Sequence, residues 1–386
     1  MNRHRKKTSL LAPLAALCVL ALTLSPLQAA NGYKQTNLVS DIPGLATHTD
    51  PNLVNPWGIS SGPATPFWVS NAGTGTSTLY NTAGVPIPLV VNIPGPGGGV
   101  PGVPTGQVFN SDASAFNGDR FIFASATGTI AGWRGPLGPT AEILVNNGAA
   151  GAAYLGLAIA STGSGTRLYA ADFARNGVDV FDGSGNALTL GGNFADASLP
   201  AGYAPFNIEN IGGSLFVAYA KQGVGEEEPG PGLGFVNRFD LEGNLLGRFA
   251  SNGVLNAPWA ITQAPESFGQ FGGDILIGNF GDGTINAFDA VTGDLVGTLK
   301  DSMGNPLVNE GLWGLRFGNG GAGGDPNKLY FAAGIDDEQH GLFGSFTPVP
   351  EPATYALAGI VLLGLRVAVQ HRRRKSLAES DAVLKV

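Results

Sequence analysis

Short apolar runs, each closed by Gly, Asn, Asp or Pro, follow one another along almost the whole chain, and no segment reads as a long amphipathic helix. Such punctuation predicts short β-strands joined by tight turns. One strand-like segment recurs: "FWVSNAG" from Phe67, "FIFASATG" from Phe121, "LYAADFA" from Leu168, "LFVAYA" from Leu215, "ILIGNFG" from Ile275 and "LYFAAGI" from Leu329. The starts lie 54, 47, 47, 60 and 54 residues apart, which marks a repeat architecture. Each is preceded by a second type of segment ("NPWGIS", "QVFNSDASAF", "YLGLAIA", "FNIENI", "APWAIT", "LWGLRF") and followed by a third, such as "GVDVFDGSG" or "GTINAFDAVTG". A fourth follows in five of the six repeats, as in "PLVVNI" and "AEILVN", but the last repeat ends at Phe346 without one. The segment "YKQTNLVSD", Tyr33–Asp41, supplies it from the N-terminus and covers an edge that would otherwise be open. The predicted fold is all-β: a six-bladed β-propeller over residues 31–347, closed by the N-terminal strand.

The two ends break this pattern. Residues 1–30 join a basic start (Arg3, Arg5, Lys6, Lys7) to an apolar stretch and the small residues Ala29 and Ala30, which predicts a secretory signal peptide. At the other end, Pro350-Glu351-Pro352 is a stiff element that a helix cannot enter. An apolar run from Ala353 to Leu365 follows, then Arg366, then the cluster Arg372, Arg373, Arg374, Lys375. The run is short for a membrane span of about 20 residues; it reaches across if Arg366 snorkels, with the basic cluster held in the cytoplasm. This order resembles the PEP-CTERM sorting signal of Gram-negative bacteria, here over residues 348–375, with 376–386 as a short cytoplasmic extension. The resemblance implies an exosortase as partner, transient anchoring in the inner membrane, processing near the Pro-Glu-Pro motif, and delivery to the cell surface or extracellular matrix. The extension and Arg366 depart from the usual tail.

Composition narrows the function. The formal net charge is −8, but residues 31–350 alone hold 11 Lys/Arg against 26 Asp/Glu, a difference of −15. So acidic a body argues against nucleic-acid binding, which needs a basic surface. The one cysteine, Cys18, lies in the leader, so the mature body has neither disulfides nor thiol chemistry. There is no HExxH, no Cys/His cluster and no GxSxG elbow, and the Gly-rich stretch 95–106 lacks the Lys-Ser/Thr and helix of a phosphate loop.

Within the repeats, Trp57, Trp259 and Trp313 hold matching places early in the innermost strand and are expected to wedge between blades. Asn71, Asp172 and Asn279 match at the end of the second strand, where they suit hydrogen bonds to the following turn. The blade pattern, clearest in "GTRLYAADFARNGVDVFDGSGN", resembles NHL-type propellers. The chain from leader to tail is similar to an uncharacterised family of secreted bacterial propellers. That resemblance implies no activity. Secreted six-bladed lactonases and esterases hold calcium in the central channel, and a likeness to them would make Asn55, Asn207, Asn256 and Glu310, at or just before inner strands, candidate Ca²⁺ ligands. Two acidic runs, Glu226-Glu227-Glu228 and Asp336-Asp337-Glu338, read as solvated loops or as a calcium-bridged contact with matrix polysaccharide. With no catalytic signature, the leading expectation is an exported binding or structural module; the alternative is a calcium-dependent hydrolase of the lactonase or esterase type.

Overall fold

Five of the six sequence repeats become four-stranded antiparallel meanders, and the sixth supplies three strands. The structure is a computed structural model describing residues 32–99 and 101–349, together with Arg366 and Val369, which are helical. The leader, Pro350, Glu351, Pro352, Arg372, Arg373 and Arg374 lie outside the described residues.

Blade 1 runs Pro56–Ser60, Phe67–Asn71, Thr76–Tyr80 and Pro86–Asn92 from axis to rim. Blades 2 to 5 repeat this order from inner strands Pro104–Phe109, Tyr154–Thr162, Tyr203–Ile211 and Pro258–Gln263. Blade 6 contributes Leu312–Phe317, Leu329–Ala333 and Leu342–Val349, and its outer strand is Gly32–Ser40 from the N-terminus. A two-residue strand, His48–Thr49, adds a parallel fifth strand outside it, which the repeat pattern did not predict.

The closure is held by side chains as well as by the strand ladder. Tyr33 donates from its hydroxyl to the Phe268 carbonyl (3.0 Å), and Ser40 Oγ to the Gly341 carbonyl (2.7 Å). The Asp41 carboxylate accepts from the Gly341 amide (2.8 Å) and lies 2.6 Å from His340 Nδ1. Between blades 6 and 1, Phe67, Tyr80, Tyr330 and Phe343 pack as one buried aromatic group.

How closely the blades approach at the axis is set by one inner-strand position. Gly58 and Gly314 occupy it in blades 1 and 6, and a Cβ there would lie 2.7 Å from the Thr105 carbonyl and 2.4 Å from the Trp57 carbonyl of the next blade. Blade 5 has Ala260 in this place, and blade 4 has Asn207, whose amide nitrogen donates to the Trp259 carbonyl at 2.7 Å. Polar tethering therefore replaces bare backbone contact in one sector of the ring.

The three inner-strand tryptophans do not wedge separately between blades. They converge: Trp57 and Trp313 stack face to face with centroids 3.3 Å apart, and Trp259 meets both edge-on at 5.9 Å. The reason is position. Each sits one residue before the close-approach site, so all three reach the axis at one height, where blades 2, 3 and 4 supply Thr105, Leu155 and Phe206. Asp172 and Asn279 bond their turns as expected, whereas Asn71 donates past its turn to Thr76 and Thr78 in the third strand. Asp172 accepts from the Arg175 and Ala153 amides. Asn279 bonds Asp282 and Thr284 in its turn and also Val254 and Asn256 in the inner-strand entry.

Candidate binding site at the channel mouth

Above the tryptophan group, on the side where the inner strands begin, lies a cavity of about 460 Å³. Trp57 and Trp313 line it below, Leu155 and Phe173 at the side, and Glu226, Glu227 and Glu338 around it. Its volume lies in the range of small-molecule sites. The acidic residues come from the loops joining second to third strands in blades 4 and 6, distant in sequence but at the same end of the ring.

Backbone geometry directs the carboxylates. Asp336, Asp337 and Glu338 are three consecutive residues at positive φ (56°, 50° and 62°), a left-handed turn that costs side chains conformational energy. That turn brings Glu338 Oε1 within 2.9 Å of Trp313 Nε1, from which it accepts a hydrogen bond. Burial and the Glu226 charge push the Glu338 carboxyl up, against the opposing effect of the Trp313 bond. Burial, with Glu338 and Glu226 nearby, pushes Glu227 up to about 7. The rest of each acidic run turns elsewhere: Glu228 pairs with Lys221 (2.7 Å), and the Asp337 amide donates to Glu310 Oε1 (3.1 Å).

The sign of the Glu227 effect gives a prediction. A carboxyl with a raised folded pKa holds its proton more tightly when folded, so stability falls as pH rises from the ordinary glutamate range to about 7. Glu227→Gln never ionises and escapes that loss. The melting temperature of E227Q relative to the parent should therefore climb between about pH 5 and about pH 8. A constant difference across that range would contradict the burial of the Glu227 carboxyl beside Glu338 and Glu226.

The four candidate calcium ligands are not gathered into one group. Asn55, at φ 45°, accepts from Trp57 Nε1 (3.1 Å) and lies beside Glu338 at the edge of the mouth. Glu310 touches the same 336–338 loop from its other contact, the Asp337 amide. Asn207 is deeper, in the waist of the channel. Asn256 is held in the entry of blade 5, accepting from the Gly230 amide (2.7 Å) and donating to Asp282 (3.3 Å). Among the described residues, no three His, Cys, Asp or Glu side chains are arranged to hold a metal ion. The meeting of Glu226, Glu227 and Glu338 is the feature that reading the loops one at a time missed. Its sequence signal was that both runs follow the second strand of their blade.

Comparison with known proteins places this architecture. Residues 348–374 match the model of the PEP-CTERM protein-sorting motif, which indicates export to the cell surface by way of an exosortase. Among solved structures, a calcium-binding protein, regucalcin, from Agrobacterium tumefaciens is similar at TM-score 0.50 and 14% identity, covering 84% of this chain and 99% of that one. A protein of unknown function from Bacteroides thetaiotaomicron is similar at TM-score 0.51 and 12% identity, covering 83% and 74%. At such identities the likeness shows the propeller fold alone. An uncharacterized protein of Acanthamoeba polyphaga mimivirus is 35% identical over 336 residues, covering 83% of this chain and 81% of its own length. A second uncharacterized protein of that virus is 34% identical over 341 residues, covering 83% and 87%. The chain belongs to the same propeller family as these viral proteins and carries a PEP-CTERM sorting motif in addition.

Proposed function

We propose that the propeller is a binding module for extracellular polysaccharide, displayed at the cell surface or in the matrix. In this reading, residues 1–30 direct secretion and residues 353–369 hold the chain briefly in the inner membrane. An exosortase-type enzyme then processes it near Pro350-Glu351-Pro352, with Arg372, Arg373 and Arg374 on the cytoplasmic side. The observation that carries the binding role is the mouth cavity, floored by the buried Trp57 and Trp313 and edged by three carboxylates. Carboxylates accept hydrogen bonds from sugar hydroxyls.

The test is retention of the full-length protein on matrix polysaccharide from the producing cells, with and without EDTA. Retention should survive the chelator and fall to background in the triple variant Glu226→Gln, Glu227→Gln, Glu338→Gln. Undiminished retention of that variant, with its fold intact by circular dichroism, would sink the reading. The rival, a calcium-dependent lactonase or esterase using Asn55, Asn207, Asn256 and Glu310, requires a bound ion. In the structure the oxygens of Asn55, Asn256 and Glu310 already accept protein hydrogen bonds. Stoichiometric calcium by elemental analysis, with ester or lactone hydrolysis lost on chelation, would establish it instead.

A further inference from the structure

At the opposite end of the channel the inner strands carry a second, unrelated set of groups. Two residues beyond the close-approach position, the six blades present Ser60, Val108, Ala158, Glu209, Thr262 and Arg316. Four are small or neutral. The two charged ones are opposite in sign, and stand two blades apart around the axis. Both line the channel waist, a small cavity of about 40 Å³, and the vestibule of about 400 Å³ that opens below it.

Opposite charges in a narrow channel normally meet, because an unpaired charge away from bulk water is costly. These do not: among the described residues Glu209 and Arg316 form no ion pair, and the Glu209 carboxylate accepts no hydrogen bond. Arg316 is anchored on one side, through Nε to Ser61 Oγ and Nη2 to the Ser61 carbonyl, both at 3.2 Å, which leaves Nη1 unused. Lack of solvation pushes the Glu209 carboxyl up to about 7 and works against the Arg316 charge, each opposed by the charge of the other.

A lone cation would satisfy Glu209 and leave Arg316 bare, and a lone anion would do the reverse. A molecule bearing both charges satisfies the two together. Phe109, Ile159 and Pro63 give the vestibule an apolar wall beside the charged pair.

We infer that the lower half of the channel binds a small zwitterion of the amino-acid type, its carboxylate on Arg316, its ammonium on Glu209 and its side chain against Phe109 and Ile159. This site shares no residue with the mouth, so it stands whether or not the mouth binds polysaccharide.

The test is calorimetric titration of the full-length protein with alanine, serine, leucine and phenylalanine. The same acids blocked as amides, which lack the carboxylate, or as N-acetyl derivatives, which lack the ammonium, serve as controls, and glucose as a neutral polyol. At least one free amino acid should bind saturably, and its amide and N-acetyl forms should bind about tenfold more weakly or worse. Near pH 7 binding should release protons, read as a dependence of the heat on buffer ionisation enthalpy. Glu209→Gln and Arg316→Gln should each lose about tenfold in affinity or more while melting close to the parent. If a variant fails to fold, the blocked ligands on the unaltered protein still decide the matter. Binding by no amino acid, equal binding of free and blocked forms, or binding of glucose alone would each overturn the inference.

Discussion

A chain from which residues 32–40 have been deleted is expected to lose cooperative unfolding or to melt far below the parent. The deletion removes the outer strand of blade 6 and leaves the ladder edge of Leu342–Val349 open. It also takes Tyr33, Leu38 and Val39 out of the core, where they are at most 8% exposed. At about 2 kcal/mol for each buried side chain, the apolar loss alone is about 6 kcal/mol, comparable with the whole stability of many domains. The Ser40 bond to blade 6 and the Tyr33 bond to the Phe268 loop within blade 5 are lost with it. Urea unfolding followed by circular dichroism is the measurement, and a synthetic peptide of residues 32–41 added in trans should restore part of the transition. A sharp parent-like transition in the deleted chain would show that the ring closes without its clasp.

Trp313→Ala should cost about 4 kcal/mol, near the upper end for loss of a large core aromatic. Trp313 is 1% exposed, stacks on Trp57 and Phe280, and meets Trp259 and Phe206 at the axis. No side chain from a single blade can refill that space, because its walls come from different blades. The Trp57→Ala cost should be smaller, and the double variant should cost less than the sum, since the two indoles are each other's partners. A cost below about 1 kcal/mol for Trp313→Ala would mean that the axis collapses freely. Unfolding free energies from denaturant titration separate these outcomes.

The blades were legible because they are local. Each meander is written within one repeat, its strands separated by turn residues whose backbone preferences act over a few positions, and even the missing outer strand could be found by looking for an unassigned segment. The tryptophans were found but misjudged: "NPWGIS", "APWAIT" and "GLWGLR" gave their common height, while convergence on the axis depends on ring radius, which close approach at Gly58 and Gly314 controls. The mouth was harder. Glu227 and Glu338 belong to loops of different blades, and only ring geometry makes them neighbours. The calcium candidates illustrate the converse: a polar residue at a strand entry is at the right height for the axis, yet Asn256 is spent on the Gly230 amide and Asp282. Glu209 and Arg316 were readable in principle, as two charges at a register position otherwise filled by Ser60, Val108, Ala158 and Thr262.

The clasp between Gly32–Ser40 and Leu342–Val349 also sets a schedule. A chain threaded from its N-terminus delivers the first half of that pairing at the start and the second at the end. Blades 1 to 5 can assemble in order as they emerge, but the first strand must wait for a partner about 300 residues behind it, measured from Ser40 to Leu342. Until that partner emerges the propeller is an open arc with a free strand at its leading end, and it becomes a ring only when almost the whole body is present. The sorting motif at residues 348–374 thus follows directly on the strand whose pairing completes the ring.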